Sequence, residues 1–266
     1  MTNVNKYLKA KEFWSRISYI HNTDNSLPEI PKITLTFAQS IDGKISGKNS
    51  SQILLSGQDS MILTHHLRSV HDGIMVGVGT VINDNPKLNV RLFEPGTEKN
   101  IQNPQPIVLD SKLRIPENCA LITLPKTNKL SKYPWIVCGH AADTSKIKEE
   151  PILEELGATV IKMEKPECCL STGRPLIKHV LNELKKRGMD NIMVEGGSNV
   201  IQEFIRKHIE ERIVNVLVVT IAPVIVGGDG LGATDSLSLK GGLNCLKLKN
   251  VDYERFGDDI VMASEL

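Results

Sequence analysis

The sequence predicts one α/β domain with a mainly parallel central sheet flanked by helices and antiparallel strands at its C-terminal end. Three observations carry that expectation. From Ile33 onward, short apolar runs of β type alternate with segments of helical periodicity, and strands separated by helices pair in parallel under cover on both faces. The alternation stops after Arg212, where strand-like segments follow one another with no strong helix between them. The chain's 266 residues are also enough to bury a large core.

Taken in order, residues 1–31 read as an N-terminal arm and linker, and 32–266 as the main domain. Leu8, Trp14 and Ile17 fall on one face of a short helix in the arm. That stretch has Lys6, Lys9, Lys11 and Glu12 but no apolar signal core, which argues against secretion and favours a docking helix or loose arm over a transit peptide. Strands are expected at 33–38, 73–78, 107–109, 135–138, 159–161 and 191–195. Ser56 followed by Asp59 resembles an acidic capping box, with Leu63, Leu67 and Val70 on the apolar face of the helix behind it. A second helix starts near Pro175, carries Ile177, Val180, Leu181 and Leu184, and stops at Gly188 after Lys185, Lys186 and Arg187. The tail adds strands at 212–222, 245–251 and 259–263, the last two joined by a polar turn at Gly257.

Composition removes several function classes. Lys and Arg total 32 against 31 Asp and Glu, a net charge of +1, so nucleic acid or an anionic membrane has no electrostatic claim on the whole surface. An anionic ligand needs a local site. The five cysteines form no C-x-x-C pair and are odd in number, which fits reduced thiols in the cytoplasm. The longest apolar run, 214–226, is interrupted by Asn215, Thr220 and Pro223 and suits a buried strand better than a membrane span. His65, His66 and His71 cluster without the spacing of a metal site, and no G-x-S-x-G elbow is present. No metal is expected.

Three segments carry chemistry. In Ile192-Met193-Val194-Glu195-Gly196-Gly197-Ser198-Asn199-Val200-Ile201 a buried strand ends in an acid and two glycines, and a helix starts at once. Glycines allow close backbone approach, and unpaired amides at a helix start favour a diphosphate. Glu195 ends its strand, where open α/β sheets bind ligands. The plain alternative is a Gly-Gly turn with Ser198 as the helix cap. The second segment, Gly77-Val78-Gly79-Thr80-Val81-Ile82-Asn83-Asp84-Asn85-Pro86-Lys87-Leu88-Asn89-Val90-Arg91, is no Rossmann fingerprint, since Ile82 replaces the third glycine and Pro86 forbids a long helix. It nevertheless places a hydroxyl, a carboxylate and an arginine in one loop: Thr80 and Asp84 suit a cofactor amide or hydroxyl, and Arg91 a phosphate. Asp84 is equally suited to capping a turn. In the third, Ser40-Ile41-Asp42-Gly43-Lys44, Asp-Gly is first a tight-turn signal. Likewise, 226–230 reads as a flexible turn.

In this order, the stretches 38–45, Leu67-Arg68, 72–91, 106–111, 193–200 and 223–230 resemble the reductase family of riboflavin biosynthesis, with its dihydrofolate reductase-like fold. The resemblance runs from about Ile33 to the C-terminus. It implies an NADPH-dependent oxidoreductase that reduces the ribosyl group of a pyrimidinone ribosylamine phosphate to a ribityl group. It also implies cofactor contacts at Gln39, Thr80, Asp84, Ser111, Gly196, Gly197, Ser198, Asn199 and Val200, and substrate contacts at Ser51, Arg68, Leu88, Arg91 and Glu195. Glu195 and Asp84 are the candidate catalytic carboxylates, with the proton donor undecided between them. Some relatives carry a lysine near Thr36, so that role does not transfer. The H-x-E and P-C-x-x-C of the deaminase often fused to this reductase are absent. The chain thus resembles the stand-alone form, whose substrate is 2,5-diamino-6-ribosylamino-4(3H)-pyrimidinone 5′-phosphate. A cytoplasmic homodimer is expected, the apolar segment 214–225 continuing a sheet or core across the interface. The alternatives are a same-fold reductase of the deaminated pyrimidine or of a pteridine, and a catalytically silent nucleotide-binding protein.

Overall fold

The computed structural model describes residues 3–22, 27–140, 149–239 and 245–266. Alternating apolar residues build the first strands. In β1 (Lys32–Ser40), Thr34 and Thr36 face one side of the sheet while Leu35 packs into the core on the other. The following elements are β2 (Lys44–Ser46), α2 (Gln58–Ser69), β3 (Gly73–Gly77), α3 (Val78–Asp84), β4 (Gln105–Leu109), α4 (Ala120–Thr127), β5 (Trp135–Cys138), α5 (Glu149–Glu155) and β6 (Thr159–Lys162). The chain continues through α6 (Ile177–Lys186), β7 (Asn191–Glu195), α7 (Ser198–Glu211), β8 (Val216–Ala222), β9 (Leu231–Gly232), β10 (Lys249–Phe256) and β11 (Asp259–Glu265), with α1 (Asn3–Ile17) preceding them all.

Nine strands form one sheet in the order β10-β11-β8-β1-β7-β3-β4-β5-β6. The seven from β8 to β6 are parallel; β11 runs antiparallel to β8, and β10 to β11. The expected architecture is therefore present. Register pairs Thr36 of β1 with Glu195 of β7, and Gly77 of β3 with Leu109 of β4, so the carboxyl ends of the central strands form one rim. A minor sheet pairs β2 with β9.

The two faces are covered differently. Val180, Leu181 and Leu184 of α6 and Ile201, Phe204 and Ile205 of α7 pack with Leu35, Val194 and Leu217. On the other face, Leu63 and Leu67 of α2 and Ala10, Phe13 and Ile17 of α1 cover Met193, Val216, Val218 and Val261. Fully burying an aromatic such as Phe13 is worth roughly 1.5–3 kcal/mol, so α1 is a packed element of this layer. Lys6–Asp59, Lys9–Glu254 and Arg16–Asp252 ion pairs fasten its outer side.

Four expectations need correction. Leu8 is 51% exposed, and the buried stripe of α1 is Ala10, Phe13 and Ile17. The cap of α2 is not Ser56: Gly57 is the N-cap and makes no side-chain cap bond. Asp259 supplies the acceptor instead, taking the Gly57 amide at 2.7 Å and the Ser60 hydroxyl. The strand expected at 245–251 lies at Lys249–Phe256, an edge strand whose mostly exposed residues hide it from an apolar pattern. Finally, β8 sits between β1 and β11 with both edges paired, so it cannot continue the sheet into another subunit.

Candidate active site

The rim formed by β1, β7 and β3 opens into a cleft of about 500 Å³. Thr36, Phe37 and Ala38 of β1 and Thr220 of β8 contribute to its floor, and Met61, Thr64 and Arg68 of α2 to one wall. The glycine segments after β3 and β7 bring Gly77, Gly79, Thr80 and Asp84 together with Glu195, Gly196, Gly197, Ser198, Asn199 and Val200. Ser46, Ser50, Leu54 and Leu231 line the remainder.

The glycines have separate jobs. A Cβ on Gly77 would lie 2.9 Å from Val200 Cγ2, and one on Gly196 only 2.7 Å from Val200 Cβ. Val200 is thus wedged between the two segments, and these glycines permit the loops to pack. Gly197 and Gly79 are different: a Cβ on Gly197 meets only Thr80 Oγ1 at 3.5 Å, and one on Gly79 meets nothing within 4 Å. Both face open space. Helix α7 begins at the N-cap Gly197, with no side-chain cap bond, so Ser198 is not the cap. The first amides of a helix have no intrahelical acceptor and carry partial positive charge. Here Val200 and Ile201 give their amides to the Gly197 carbonyl at 3.0 and 3.1 Å, which leaves those of Ser198 and Asn199, two residues of the cleft lining.

Glu195 is fixed from across the cleft. Arg68 Nε donates to its Oε1 at 2.8 Å and Nη2 to its Oε2 at 2.7 Å, while Nη1 donates to the Asn89 carbonyl at 3.2 Å. The side chains are 8% and 20% exposed, a nearly buried two-pronged pair. Removing one member of such a pair strands the other's charge, at roughly 3–5 kcal/mol. Arg68 therefore enters the site as the holder of Glu195. Asp84 ends α3 on the cleft wall, and burial raises its pKa above the ordinary aspartate value.

Arg91 lies outside the cleft lining but close to this pair. Its Nη1 donates to Asn89 Oδ1 at 2.7 Å and its amide to His65 Nδ1 at 2.9 Å. Desolvation and the Arg68 charge lower its pKa, and Glu195 opposes them. Gln39, Ser51 and Ser111 also lie outside the lining. Ser111 follows β4, one strand beyond β3 along the same rim, and Ser51 gives its carbonyl to the Gly47 amide. Leu88 as a whole is only 1% exposed and sits in the core cluster of Ile74 and Val76, so it offers a ligand almost no surface.

The other candidates are structural. Asp42 accepts from the Ser40 hydroxyl at 2.6 Å and from the Gly227 and Val226 amides at 2.8 and 3.1 Å, which hold its pKa at about 2. It ties the 226–230 turn to β1. His71 gives Nδ1–H to the Leu67 carbonyl at 2.7 Å, so Nε2 accepts from Thr34 Oγ1 at 2.8 Å; burial lowers its pKa to about 4 and the ring is neutral. Burial likewise brings His65 to about 3. Among the described residues, no cluster of ligating side chains fit for a metal ion occurs. Among them, too, no helix is long and apolar enough to cross a membrane.

Comparison with known proteins places this geometry. The RibD C-terminal domain model matches residues 31–262. Over 206 residues the chain is 33% identical to the 2,5-diamino-6-ribosylamino-4(3H)-pyrimidinone 5′-phosphate reductase of Debaryomyces hansenii, covering 77% of this chain and 80% of that protein. The Saccharomyces cerevisiae protein of the same name is 28% identical, with 92% and 89% covered. The solved structure of the yeast riboflavin biosynthesis reductase Rib7 superposes with a TM-score of 0.70 at 25% identity, over 96% of this chain and 99% of that one. Acinetobacter baumannii RibD, at 19% identity and TM-score 0.71, shares the fold over 90% of this chain and 58% of its own. The chain belongs to the RibD C-terminal domain family, the reductases of riboflavin biosynthesis.

Proposed function

We propose that the cleft binds NADPH together with 2,5-diamino-6-ribosylamino-4(3H)-pyrimidinone 5′-phosphate and reduces the ribosyl group to ribityl. One observation carries the reading: the open start of α7 and the bare backbone of Gly79 and Gly197 converge beside a carboxylate locked by Arg68. The cradle fits the group, since a Cβ at either glycine would project into space that a diphosphate needs. Gly197, Ser198, Asn199 and Thr80 would hold it, with Val200, Asp84, Gln39 and Ser111 as further contacts. Bound there, NADPH supplies a hydride.

The chain's own residues then align and protonate. A ribosylamine opens to an imine at C1′; addition of hydride to that carbon leaves a nitrogen anion that takes one proton, giving the secondary amine. Glu195, with both oxygens engaged by Arg68, acts as a fixed acceptor for ribose or base donors. Asp84, whose pKa burial raises, is the candidate of the two to give a proton. Arg91 is assigned to the 5′-phosphate, beyond Glu195, supplying remote binding energy for alignment. Ser51 is kept as a substrate contact through its exposed loop, whereas buried Leu88 acts by shaping the turn that carries Arg91.

NADPH consumption with the diamino and the deaminated phosphates, side by side, tests the reading. Faster turnover of the diamino compound supports it. Preference for the deaminated one, or tight cofactor binding with no turnover of either, rejects it. Ser111 and the exposed Lys112 stand where a 2′-phosphate can be met at the end of β4, so kcat/KM is expected to favour NADPH over NADH. We also infer a cytoplasmic homodimer. Five unpaired cysteines suit a reducing compartment. Ile41 and Ile225, 66% and 77% exposed, leave an apolar surface at the end of β1 and β8 for a partner. Light scattering at micromolar concentration checks the mass.

A further inference from the structure

The loop between α3 and Arg91 is set by buried polar groups as much as by apolar ones. Leu88 has a φ of 48° and a fully packed side chain. The Val90 amide donates to Asn103 Oδ1 at 2.6 Å, and the Arg91 amide to His65 Nδ1. Just before them Asn89 is 6% exposed, an interior position at which an amide side chain persists only with its bonds made. Its Nδ2 donates to Ser131 Oγ at 3.3 Å, which fixes the flip of the amide and turns Oδ1 toward Arg91.

Asn89 is therefore the meeting point of two guanidinium groups. Its carbonyl takes Arg68 Nη1 at 3.2 Å and, more weakly, Arg91 Nη1 at 3.5 Å, while its side-chain oxygen takes Arg91 Nη1 at 2.7 Å. Two cations this close repel, and a shared acceptor offsets part of that cost. The acceptor's chemistry matters. An amide oxygen orients Arg91 without neutralising it, so the charge stays available to a dianionic phosphate; a carboxylate in the same place would consume it.

We propose that Asn89 is a positioning residue that fixes Arg91 relative to the Arg68–Glu195 pair, and thereby sets the enzyme's selectivity for a 5′-phosphorylated ribosylamine. The inference rests on Arg91 gripping that phosphate. Asn89 touches no reacting atom in this scheme; it acts through Arg91.

The test is steady-state NADPH oxidation with the phosphorylated and dephosphorylated substrates for Asn89→Leu, Asn89→Asp, Arg91→Ala and the two combinations with Arg91→Ala. Asn89→Leu should raise KM for the phosphorylated substrate about tenfold, with kcat within about twofold and NADPH Kd unchanged. The isosteric Asn89→Asp keeps the fold if the leucine variant does not. At pH 7.5 its KM should be raised at least as much as the leucine variant's, because the introduced carboxylate pairs with Arg91 and competes with the phosphate. Neither substitution should alter the dephosphorylated substrate, and neither should cost more once Arg91 is already alanine. Full, undiminished losses in the Arg91→Ala background, or an Asn89→Asp KM equal to wild type, would overturn the positioning role. If Arg91→Ala alone spares the phosphorylated substrate, the phosphate assignment itself has failed.

Discussion

Two helices of this protein begin in the same way and end up with different partners. Helix α2 starts at Gly57 and α7 at Gly197; both N-caps are glycines in extended conformation, and neither has a side-chain cap bond. At α2 the missing anion comes from the chain itself, the buried carboxylate of Asp259 some two hundred residues away. At α7 the first helical residues, Ser198 and Asn199, line the cleft. The difference teaches that a helix start is a generic anion site. Filled by protein, it holds Arg68's helix in place; left open beside bare glycines, it is where we propose the ligand binds.

The comparison breaks most visibly at Asp259. Alanine there leaves the Gly57 amide and the Ser60 hydroxyl without their carboxylate, a loss of about 2–4 kcal/mol by denaturant unfolding. At the open helix start the two glycines should separate. Gly196→Val drives a side chain into Val200, so it should lower both the thermal midpoint and cofactor affinity, by about 1–3 kcal/mol of stability from overpacking. Ser56→Ala, at the residue that looks like the cap of α2 but is not, should shift stability by less than about 0.5 kcal/mol. If it costs a full cap, roughly 1 kcal/mol, then Ser56 rather than Asp259 closes that helix.

What the sequence revealed follows from how local each signal is. The strands at 73–78, 135–138 and 191–195 are continuous apolar runs of a doubly covered sheet, and α6 has a clean apolar stripe ended by Gly188; these were legible within a residue or two. Glu195 and the glycines after it announced a strand end facing a ligand, and they do line the cleft. Interactions between distant residues were not legible. The Arg68–Glu195 pair spans 127 positions and the Gly57–Asp259 bond 202, so no spacing rule marks them. Short α3 and α4 were missed for another reason: α3 has seven residues before Pro86 and α4 contains Pro125, so neither shows a full helical repeat. On α1, Ile17 and Trp14 do pack inward, but Leu8 is apolar yet 51% exposed, and Ala10 and Phe13 complete the buried stripe.

The central claim is that the open start of α7 holds the cofactor's diphosphate, and Gly197→Val tests it most directly. Its backbone, at φ −71° and ψ 171°, suits a branched residue, and a Cβ there meets only Thr80 Oγ1 at 3.5 Å. The variant should therefore fold with a thermal midpoint close to wild type. Measured by titration calorimetry, its NADPH Kd should rise on the order of ten- to a hundredfold, as expected when a charge-assisted contact worth about 1.5–3 kcal/mol is blocked. An unchanged Kd in the folded variant would contradict the account.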